Sequence, residues 1–219
     1  GKTLAFLLPV LNLLQKNSLK SQAIVIVPSR ELALQIEQVF KKMGTEFKVT
    51  CCYGGHLSET EENNLKQPPA LLIGTPGRLA DHIRRGNITV DTIETLVLDE
   101  VDKSLELGFQ DEMSFIIGSL KNIKKRILTS ATEAVAIPAF IGLTSSKRLN
   151  FLTKETKTAL AIQVVQSDGK DKLNTLFNLL CMLGNRSAII FCNHRESVER
   201  TSVYLKEKGI VNEFYHGAL

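Results

Sequence analysis

Residues 95–102 read Thr-Leu-Val-Leu-Asp-Glu-Val-Asp, a short apolar run that ends in acidic residues. Runs of roughly four to eight apolar residues are typical of strands that are buried on both faces of a parallel sheet. Similar runs recur along the first part of the chain. We predict that the strands of one central sheet are Ala23–Val27, Val49–Tyr53, Ala70–Ile73, Thr95–Asp99 and Arg126–Ser130.

Segments with helical periodicity lie between these runs, at Glu31–Lys42, Arg78–Arg85 and Asp111–Leu120. Strands that alternate with helices are typical of a parallel sheet whose strands are joined by crossover helices. The sequence therefore predicts an α/β fold, with a parallel sheet flanked by helices.

The pattern restarts after a polar stretch, residues 153–158, that has no apolar period and is typical of a linker. We predict a first domain over residues 1–152, a linker over 153–160 and part of a second domain over 161–219. The elements predicted beyond the linker are strands at Ala161–Val165, Ser187–Cys192 and Val211–Tyr215, and helices at Lys170–Leu183 and Glu196–Lys208.

Composition excludes several classes of protein. Hydrophobic residues make up 43% and charged residues 23%, as in a soluble globular protein. A net charge of +4 permits a nucleic-acid partner but is only weakly basic. No apolar run approaches the roughly 20 residues of a membrane-spanning helix, and the first residues lack a secretory signal, so we expect a cytoplasmic protein without a membrane partner.

Neither the cysteines nor the histidines are spaced like metal ligands. The four cysteines lie in apolar stretches without a Cys-x-x-Cys pair, which predicts buried, reduced thiols. The four histidines share no ligand spacing, and we interpret them as ordinary structural residues.

Gly1-Lys2-Thr3 precedes an apolar, helix-like run at Leu4–Leu14 and matches the last three positions of a phosphate-binding P-loop. In that motif, backbone N–H groups and the helix N-terminus hold phosphates, the lysine reaches the β- and γ-oxygens, and the hydroxyl binds Mg²⁺. An ordinary helix start is the alternative interpretation. The missing initiator Met leads us to expect that residues precede this tripeptide in the natural protein.

Asp99 and Glu100 end the apolar run with two adjacent carboxylates. A carboxylate at a strand end can bind the Mg²⁺ that bridges phosphates, and its neighbour can orient or deprotonate the attacking water. A solvated acidic loop is the alternative, and the presence of Lys2 upstream weakens it.

Asp99-Glu100-Val101-Asp102 resembles the Asp-Glu-Ala-Asp signature of the DEAD-box helicases, and the chain on both sides of it carries other landmarks of that family in order. They are Pro28–Leu32 (motif Ia), Gly54-Gly55 (the double glycine), Thr75–Leu79 (motif Ib), Ser130-Ala131-Thr132 (motif III) and Ile189–Asn193 (motif IV).

This resemblance implies two RecA-like domains and ATP-dependent unwinding or remodelling of RNA, with ATP and Mg²⁺ as cofactors. It implies that Lys2, Asp99 and Glu100 are catalytic. It also implies that Gly1, Lys2, Thr3, Asp99 and Glu100 bind the nucleotide, with Thr3 and Asp99 as Mg²⁺ ligands.

Arg30 and Arg78 follow predicted strands, where they could bind consecutive phosphates, and glycines there would let the backbone approach closely. Surface ion pairs and plain turns are the alternatives when each residue is considered alone. The resemblance assigns Pro28, Arg30, Gly55, Thr75, Gly77 and Arg78 to sequence-independent RNA binding. It assigns Asp102, Ser130 and Thr132 to coupling between the nucleotide and RNA sites.

Two departures from the family pattern matter. Val101 replaces the family's alanine, a change that would cost about 1 kcal/mol if the pocket is tight. The resemblance also implies further motifs before Gly1 and after Leu219, including an arginine finger, so we expect the 219 residues alone to hydrolyse ATP poorly. A non-catalytic RNA-binding module, a DNA-directed translocase and a neighbouring helicase subfamily remain alternatives. The family's default is a monomer.

Overall fold

The computed structural model describes residues 2–55, 58–131, 137–143, 145–150, 161–167 and 169–217. The chain divides into two compact units, Gly1–Leu149 and Asn150–Leu219. The domain boundaries at residues 152 and 160, and the nature of the second domain, stay predictions.

Helices and strands alternate through the first unit. Its helices are α1 (Lys2–Leu13), α2 (Arg30–Lys42), α3 (Ser58–Leu65), α4 (Pro76–Arg84), α5 (Val101–Glu106) and α6 (Gln110–Ser119). Its strands are β1 (Ala23–Ile26), β2 (Val49–Cys52), β3 (Leu71–Gly74), β4 (Thr95–Leu98) and β5 (Lys125–Leu128). A short 3₁₀ turn follows at Ala139–Ile141.

The strands form one five-stranded sheet in the order β2-β3-β1-β4-β5, and every neighbouring pair is parallel. Strand β1 is central, with Ile24 in register with Leu72 of β3 and Leu96 of β4. The predicted parallel α/β sheet is confirmed, and each of the five predicted strands overlaps an observed one.

The two faces of the sheet bury alternate residues of each strand, as the two-residue period of a strand requires. Val25 and Val97 point into a core that is shared with α1 and α2. Ile24 and Leu96 point into the opposite core, where α4 and α6 cover the sheet. Strands covered on both faces must be apolar throughout, which explains the short apolar runs in the sequence.

Helices α2 and α4 begin at recognisable signals directly after their strands. Ser29 caps α2, because its Oγ accepts a hydrogen bond from the Leu32 N–H at 3.3 Å. Pro76 opens α4 at its first position, where a missing N–H costs nothing. These short connections fix where the residues after β1 and β3 lie.

Among its described residues, the second unit has two helices, α7 (Leu173–Leu183) and α8 (Arg195–Glu207), where two were predicted. The three predicted strands at Ala161–Val165, Ser187–Cys192 and Val211–Tyr215 are wrong, because no strand is assigned there among the described residues. A strand exists through its hydrogen bonds to a neighbour. The apolar side chains that suggested these strands, such as Ile162, Phe191 and Val211, are exposed.

The cysteines are all free, but the prediction that they are all buried is wrong. Cys52 is buried, Cys51 and Cys192 are partly exposed, and Cys181 is exposed on α7. As for the helices, none within the described ranges is both long and apolar enough to cross a membrane.

Candidate functional site

All five strands point the same way, so their carboxyl ends meet at one edge of the sheet. Ligands bind at this edge in open α/β sheets. The loops at this edge carry most of the predicted site residues, namely Arg30 after β1, Gly55 after β2, Thr75–Arg78 after β3, Asp99 and Glu100 after β4, and Ser130 after β5. Because of the strand order, the acidic loop lies beside β1, and the double-glycine loop lies at the far side.

Asp99 is the first residue after β4 and is buried, with 4% of its surface exposed. Its N–H donates to the Ile26 carbonyl of β1 at 3.0 Å. The Thr129 hydroxyl donates to Oδ1 of its carboxylate. A buried carboxylate that is held in this way is an oxygen donor of the type that Mg²⁺ prefers.

Thr129 organises the acidic loop, and the sequence analysis did not identify it. Its Oγ accepts a hydrogen bond from the Glu100 N–H at 3.1 Å. Its carbonyl accepts from the Val101 N–H at 3.1 Å, and its own N–H donates to the Leu98 carbonyl at 2.9 Å. The available signal was its position directly after β5 and before Ser130.

Glu100 has a left-handed backbone, with φ 50° and ψ 51°. It is the one non-glycine residue with positive φ among those that the structure describes. This conformation costs about 1–2 kcal/mol for an L-residue and tends to persist at functional sites. The bonds from Thr129 hold the turn in place, and Glu100 itself is half-buried at the edge of the sheet.

The residues predicted to couple the sites have different surroundings. Asp102 lies in the first turn of α5 and is fully buried, whereas Ser130 is exposed after β5. Thr132 lies outside the described residues. The coupling role stays a prediction. Val101 packs with the core on the α4 and α6 face of the sheet and is 4% exposed.

Helix α1 leads from Lys2 and Thr3 towards the opposite edge of the sheet. Gln22, just before β1, bonds to the segment that directly follows α1, because its Oε1 accepts from the Gln15 N–H at 2.7 Å. Since α1 packs along β1 through Phe6 and Val10, its N-terminus lies towards the edge where the acidic loop is found. Lys2 is exposed there and Thr3 is half-buried, whereas Gly1 lies outside the described residues.

Tyr53, which directly follows β2, is the centre of the other half of this edge. The Arg30 guanidinium lies over its ring, 5.1 Å from the centroid, within the range of a cation–π contact. Gly55 has φ +96°, and a Cβ there would lie 3.5 Å from Nη1 of Arg30. The double-glycine turn therefore packs directly against Arg30.

Arg78 joins the same group from α4. Its Nε donates to the Tyr53 carbonyl at 3.2 Å. Thr75 and Gly77 are half-buried nearby in the chain, and a Cβ on Gly77 would meet nothing within 4 Å. Pro28 is buried, so its predicted contact with RNA stays a prediction that its placement does not favour.

Gly74, at the end of β3, is a further residue that the sequence analysis did not identify. A Cβ there would lie 2.3 Å from the Cys52 carbonyl oxygen and 2.8 Å from Cγ of Leu79. No side chain fits at such distances. The glycine allows β2 and the start of α4 to approach, which brings the two loops after β2 and β3 together.

Glu61 of α3 lies beneath these loops and was not predicted either. Its carboxylate accepts from the Tyr53 N–H at 2.9 Å, lies 3.3 Å from Nε of Arg78 and lies 2.6 Å from Nε2 of His82. Glu61 and His82 are both buried. A hydrogen bond of 3.1 Å joins Nδ1 of His82 to the Asn87 side-chain amide.

Cys52, Glu61 and His82 offer three potential ligand atoms that lie within 4.8 Å of one another. A metal ion does not fit this cluster well. Both oxygens of Glu61 already accept from protein donors.

The five-stranded parallel sheet, with an acidic loop and an arginine-bearing loop on adjacent strands, is the architecture of a RecA-like α/β domain. The family model for DEAD/DEAH box helicases matches residues 1–139, and the chain belongs to that family.

Curated relatives are similar over the whole chain. The ATP-dependent RNA helicase CshA of Listeria monocytogenes is 35% identical over 226 residues, which cover 100% of this chain and 43% of the relative. The ATP-dependent RNA helicase DRS1 of Saccharomyces cerevisiae is 34% identical over 236 residues, covering 100% of this chain and 31% of the relative. The chain thus spans 43% of the length of the first relative and 31% of the length of the second, less than half of either.

Solved structures agree with the fold. The yeast DEAD-box splicing factor Prp28 superposes with a TM-score of 0.54 at 29% identity, covering 61% of this chain and 35% of that chain. The DEAD-box helicase Mss116, bound to single-stranded RNA and UDP-BeF, gives a TM-score of 0.52 at 31% identity, covering 59% of this chain and 30% of the other. The predicted RecA-like fold of the first domain is confirmed.

Proposed function

We propose that this chain is the part of an ATP-dependent RNA helicase that binds nucleotide and RNA at one edge of the sheet. The observation that carries the proposal is the arrangement of the loops on the adjacent strands β1 and β4. Asp99 after β4 bonds through its N–H to Ile26 of β1, and Arg30 follows β1 by a short connection. The acidic loop and the arginine-bearing loop therefore follow two strands that are hydrogen-bonded to each other.

The acidic half of the edge, which comprises the loop with Asp99 and Glu100 and the start of α1, binds ATP and Mg²⁺ in this proposal. Lys2, Thr3 and the preceding Gly1 bind phosphates at the N-terminus of α1, where backbone N–H groups favour anions. Asp99 is a ligand of Mg²⁺ with Thr3, and Glu100 orients the attacking water. When bound, Mg²⁺ neutralises charge on the phosphates. The fit rests on Asp99, whose buried carboxylate is oriented by the Thr129 hydroxyl.

The basic half of the edge, which comprises the loops after β1, β2 and β3, binds the RNA backbone. Arg30 and Arg78 bind phosphates, Thr75 offers a hydroxyl, and Gly55 and Gly77 allow the sugar-phosphate chain to approach. Such contacts position RNA without reading its sequence. The similar helicase Mss116 was solved in complex with single-stranded RNA, which supports this choice of nucleic acid. Action as a monomer remains a prediction from the family resemblance, and a cytoplasmic location remains a prediction from the sequence.

Substitution of Glu100 by glutamine tests the enzymatic part of the proposal in the full-length protein. Glu100→Gln keeps the shape of the side chain but cannot act as a base, so we expect RNA and ATP to bind while turnover falls by about 100-fold or more. Glu106→Gln is the matched control, because Glu106 is an exposed acid on α5 that pairs with Lys103.

Normal turnover by Glu100→Gln would contradict the role of Glu100. RNA binding that needs no ATP, with no phosphate release by the unsubstituted protein, would favour a non-catalytic RNA-binding module. Equal stimulation by DNA of the same sequence would favour a DNA-directed translocase.

A further inference from the structure

Glu61 is a carboxylate that is buried beneath the basic half of the edge, with 2% of its surface exposed. A buried charge is costly unless it is paired and hydrogen-bonded. Here the charge is paired and hydrogen-bonded, because Glu61 accepts from the Tyr53 N–H and lies within hydrogen-bonding distance of Arg78 and His82. Each of these partners lies in or next to the loops that carry the proposed RNA contacts.

The contacts of Glu61 join three separate segments of the chain. Tyr53 belongs to the loop after β2, Arg78 to the start of α4 after β3, and Glu61 to α3. The contacts also close a ring, because Nε of Arg78 donates to the Tyr53 carbonyl at 3.2 Å while it lies 3.3 Å from the Glu61 carboxylate. The plane of the Arg78 guanidinium is therefore fixed by groups of the protein.

His82 contacts Oε2 of Glu61, the same carboxylate oxygen that lies 3.3 Å from Nε of Arg78. If the Asn87 amide donates to Nδ1 of His82 at 3.1 Å, Nε2 carries the proton and donates to Glu61 at 2.6 Å. His82 lies one turn after Arg78 on α4 and is completely buried, with 0% of its surface accessible. It can therefore orient Glu61 without contacting RNA.

The closed set of contacts among Glu61, Tyr53 and Arg78 extends to Arg30 through the Tyr53 side chain. Arg30 lies over the Tyr53 ring, and the double-glycine turn packs against Arg30. A change in the position of Tyr53 would consequently displace both arginines of the proposed RNA surface.

We infer that Glu61 is a positioning residue for RNA binding, which holds Arg78 and the Tyr53 loop in one geometry, with His82 as the group that orients it. The inference rests on the proposed function, because it takes Arg78 as a contact to the RNA backbone. Stability alone does not require such a group, since buried ion pairs can often be replaced by apolar residues of similar volume without loss. The ring contains Arg78 and contacts Arg30 through the Tyr53 side chain, and these two arginines give it a use in binding.

The experiment is a double-mutant cycle in the full-length protein, with the dissociation constant of a single-stranded oligouridine as the readout. Glu61→Gln and Arg78→Ala are made singly and together. We expect each single variant to weaken RNA binding about tenfold. The double variant should be hardly weaker than Arg78→Ala, because Glu61 acts through Arg78. Glu62→Gln, which alters a more exposed acid on α3 that pairs with Arg85, is the matched control and should bind normally.

Two further readouts separate positioning from general damage. The affinity for an ATP analogue should change less than twofold in Glu61→Gln, since Asp99 and Glu100 follow β4, whereas the ring lies at the loops after β2 and β3. His82→Gln, whose amide can donate to Glu61, should retain more RNA affinity than His82→Leu, which cannot. If Glu61→Gln does not fold, the comparison of the two His82 variants decides, and equal affinities would contradict the inference.

The outcomes also distinguish the inference from the proposed function. Unchanged RNA affinity in Arg78→Ala would mean that the proposed RNA surface is wrong. Weakened binding in Arg78→Ala with normal binding in Glu61→Gln, or fully additive effects in the double variant, would mean that Glu61 does not position Arg78.

Discussion

The Thr129 hydroxyl donates a hydrogen bond to Oδ1 of Asp99, across the boundary between β5 and β4. The hydroxyl oxygen of Thr129 also accepts a hydrogen bond from the Glu100 N–H at 3.1 Å. One hydroxyl therefore sets both the carboxylate proposed to bind Mg²⁺ and the left-handed turn that carries Glu100.

Thr129→Val should lower ATP turnover by about 10- to 100-fold, the usual effect of removing a group that orients a metal ligand. Valine keeps the shape of threonine but cannot donate to Asp99 or accept from Glu100. RNA affinity in the absence of nucleotide should stay normal. The measurement is steady-state phosphate release, with the exposed Thr89→Val as the control. Normal turnover in Thr129→Val would show that this hydroxyl does not support the chemistry.

Gly77→Ala should weaken RNA binding while leaving the fold intact. A Cβ at Gly77 meets no protein atom within 4 Å, and alanine is the better helix former, so stability should stay the same or rise slightly. The added methyl group would occupy the space that RNA is proposed to use, and we expect about a tenfold weaker dissociation constant. Gly118→Ala, on α6 and equally unobstructed, is the matched control. Unchanged RNA affinity in Gly77→Ala would argue against a close approach at this glycine.

Val101→Ala should destabilise the protein by about 1–2 kcal/mol, measured as the free energy of unfolding in urea. Val101 is buried in the core on the α4 and α6 face, so its two methyl groups contribute packing. The sequence alone suggested the opposite possibility, namely that valine strains this position relative to the family's alanine. A stability gain in Val101→Ala would support that strain.

The free energy of unfolding should fall as the pH rises above about 9, in part because of Cys51. Burial, followed by the nearby Glu37 carboxylate, raises the pKa of this thiol from 9.0 to about 12. Between these values the unfolded thiol ionises while the folded one stays protonated, so unfolding becomes easier with pH. At pH 10 the contribution is about 1.4 kcal/mol.

Urea unfolding at pH 7 and pH 10 measures this effect, with Cys51→Ala as the comparison. The wild-type protein should lose more stability between the two pH values than the variant does. Equal losses would mean that the Cys51 thiol ionises as readily in the folded state as in the unfolded one.

The sheet was predictable because a strand that is covered on both faces must be apolar along its whole length, as Ala23–Ile26 and Thr95–Leu98 are. The helices α3 and α5 were missed for physical reasons. The sequence of Ser58–Leu65 has almost no apolar residues, and Val101–Glu106 is too short to have a clear period. In the second unit, apolar patterning suggested strands at segments that have no paired neighbour in the described part of the chain.

Candidate site residues were predicted only where a motif indicated them. Asp99 and Glu100 follow an apolar run, and the structure places both directly after β4, whereas their roles stay predictions. Thr129 depends on the pairing of β4 with β5, which brings together residues 30 positions apart. Glu61 lies in a polar stretch that reads as a solvated surface, and its burial follows only from the packing of α3 against the loop after β2 and α4.

RNA-stimulated ATP hydrolysis by the full-length protein tests the central claim most directly. Phosphate release is measured with increasing single-stranded RNA and, separately, with DNA of the same sequence. The account predicts saturable stimulation by RNA, with much weaker stimulation by DNA. RNA binding without any phosphate release would contradict it, because the acidic and basic halves of the edge would then not act together in an ATPase.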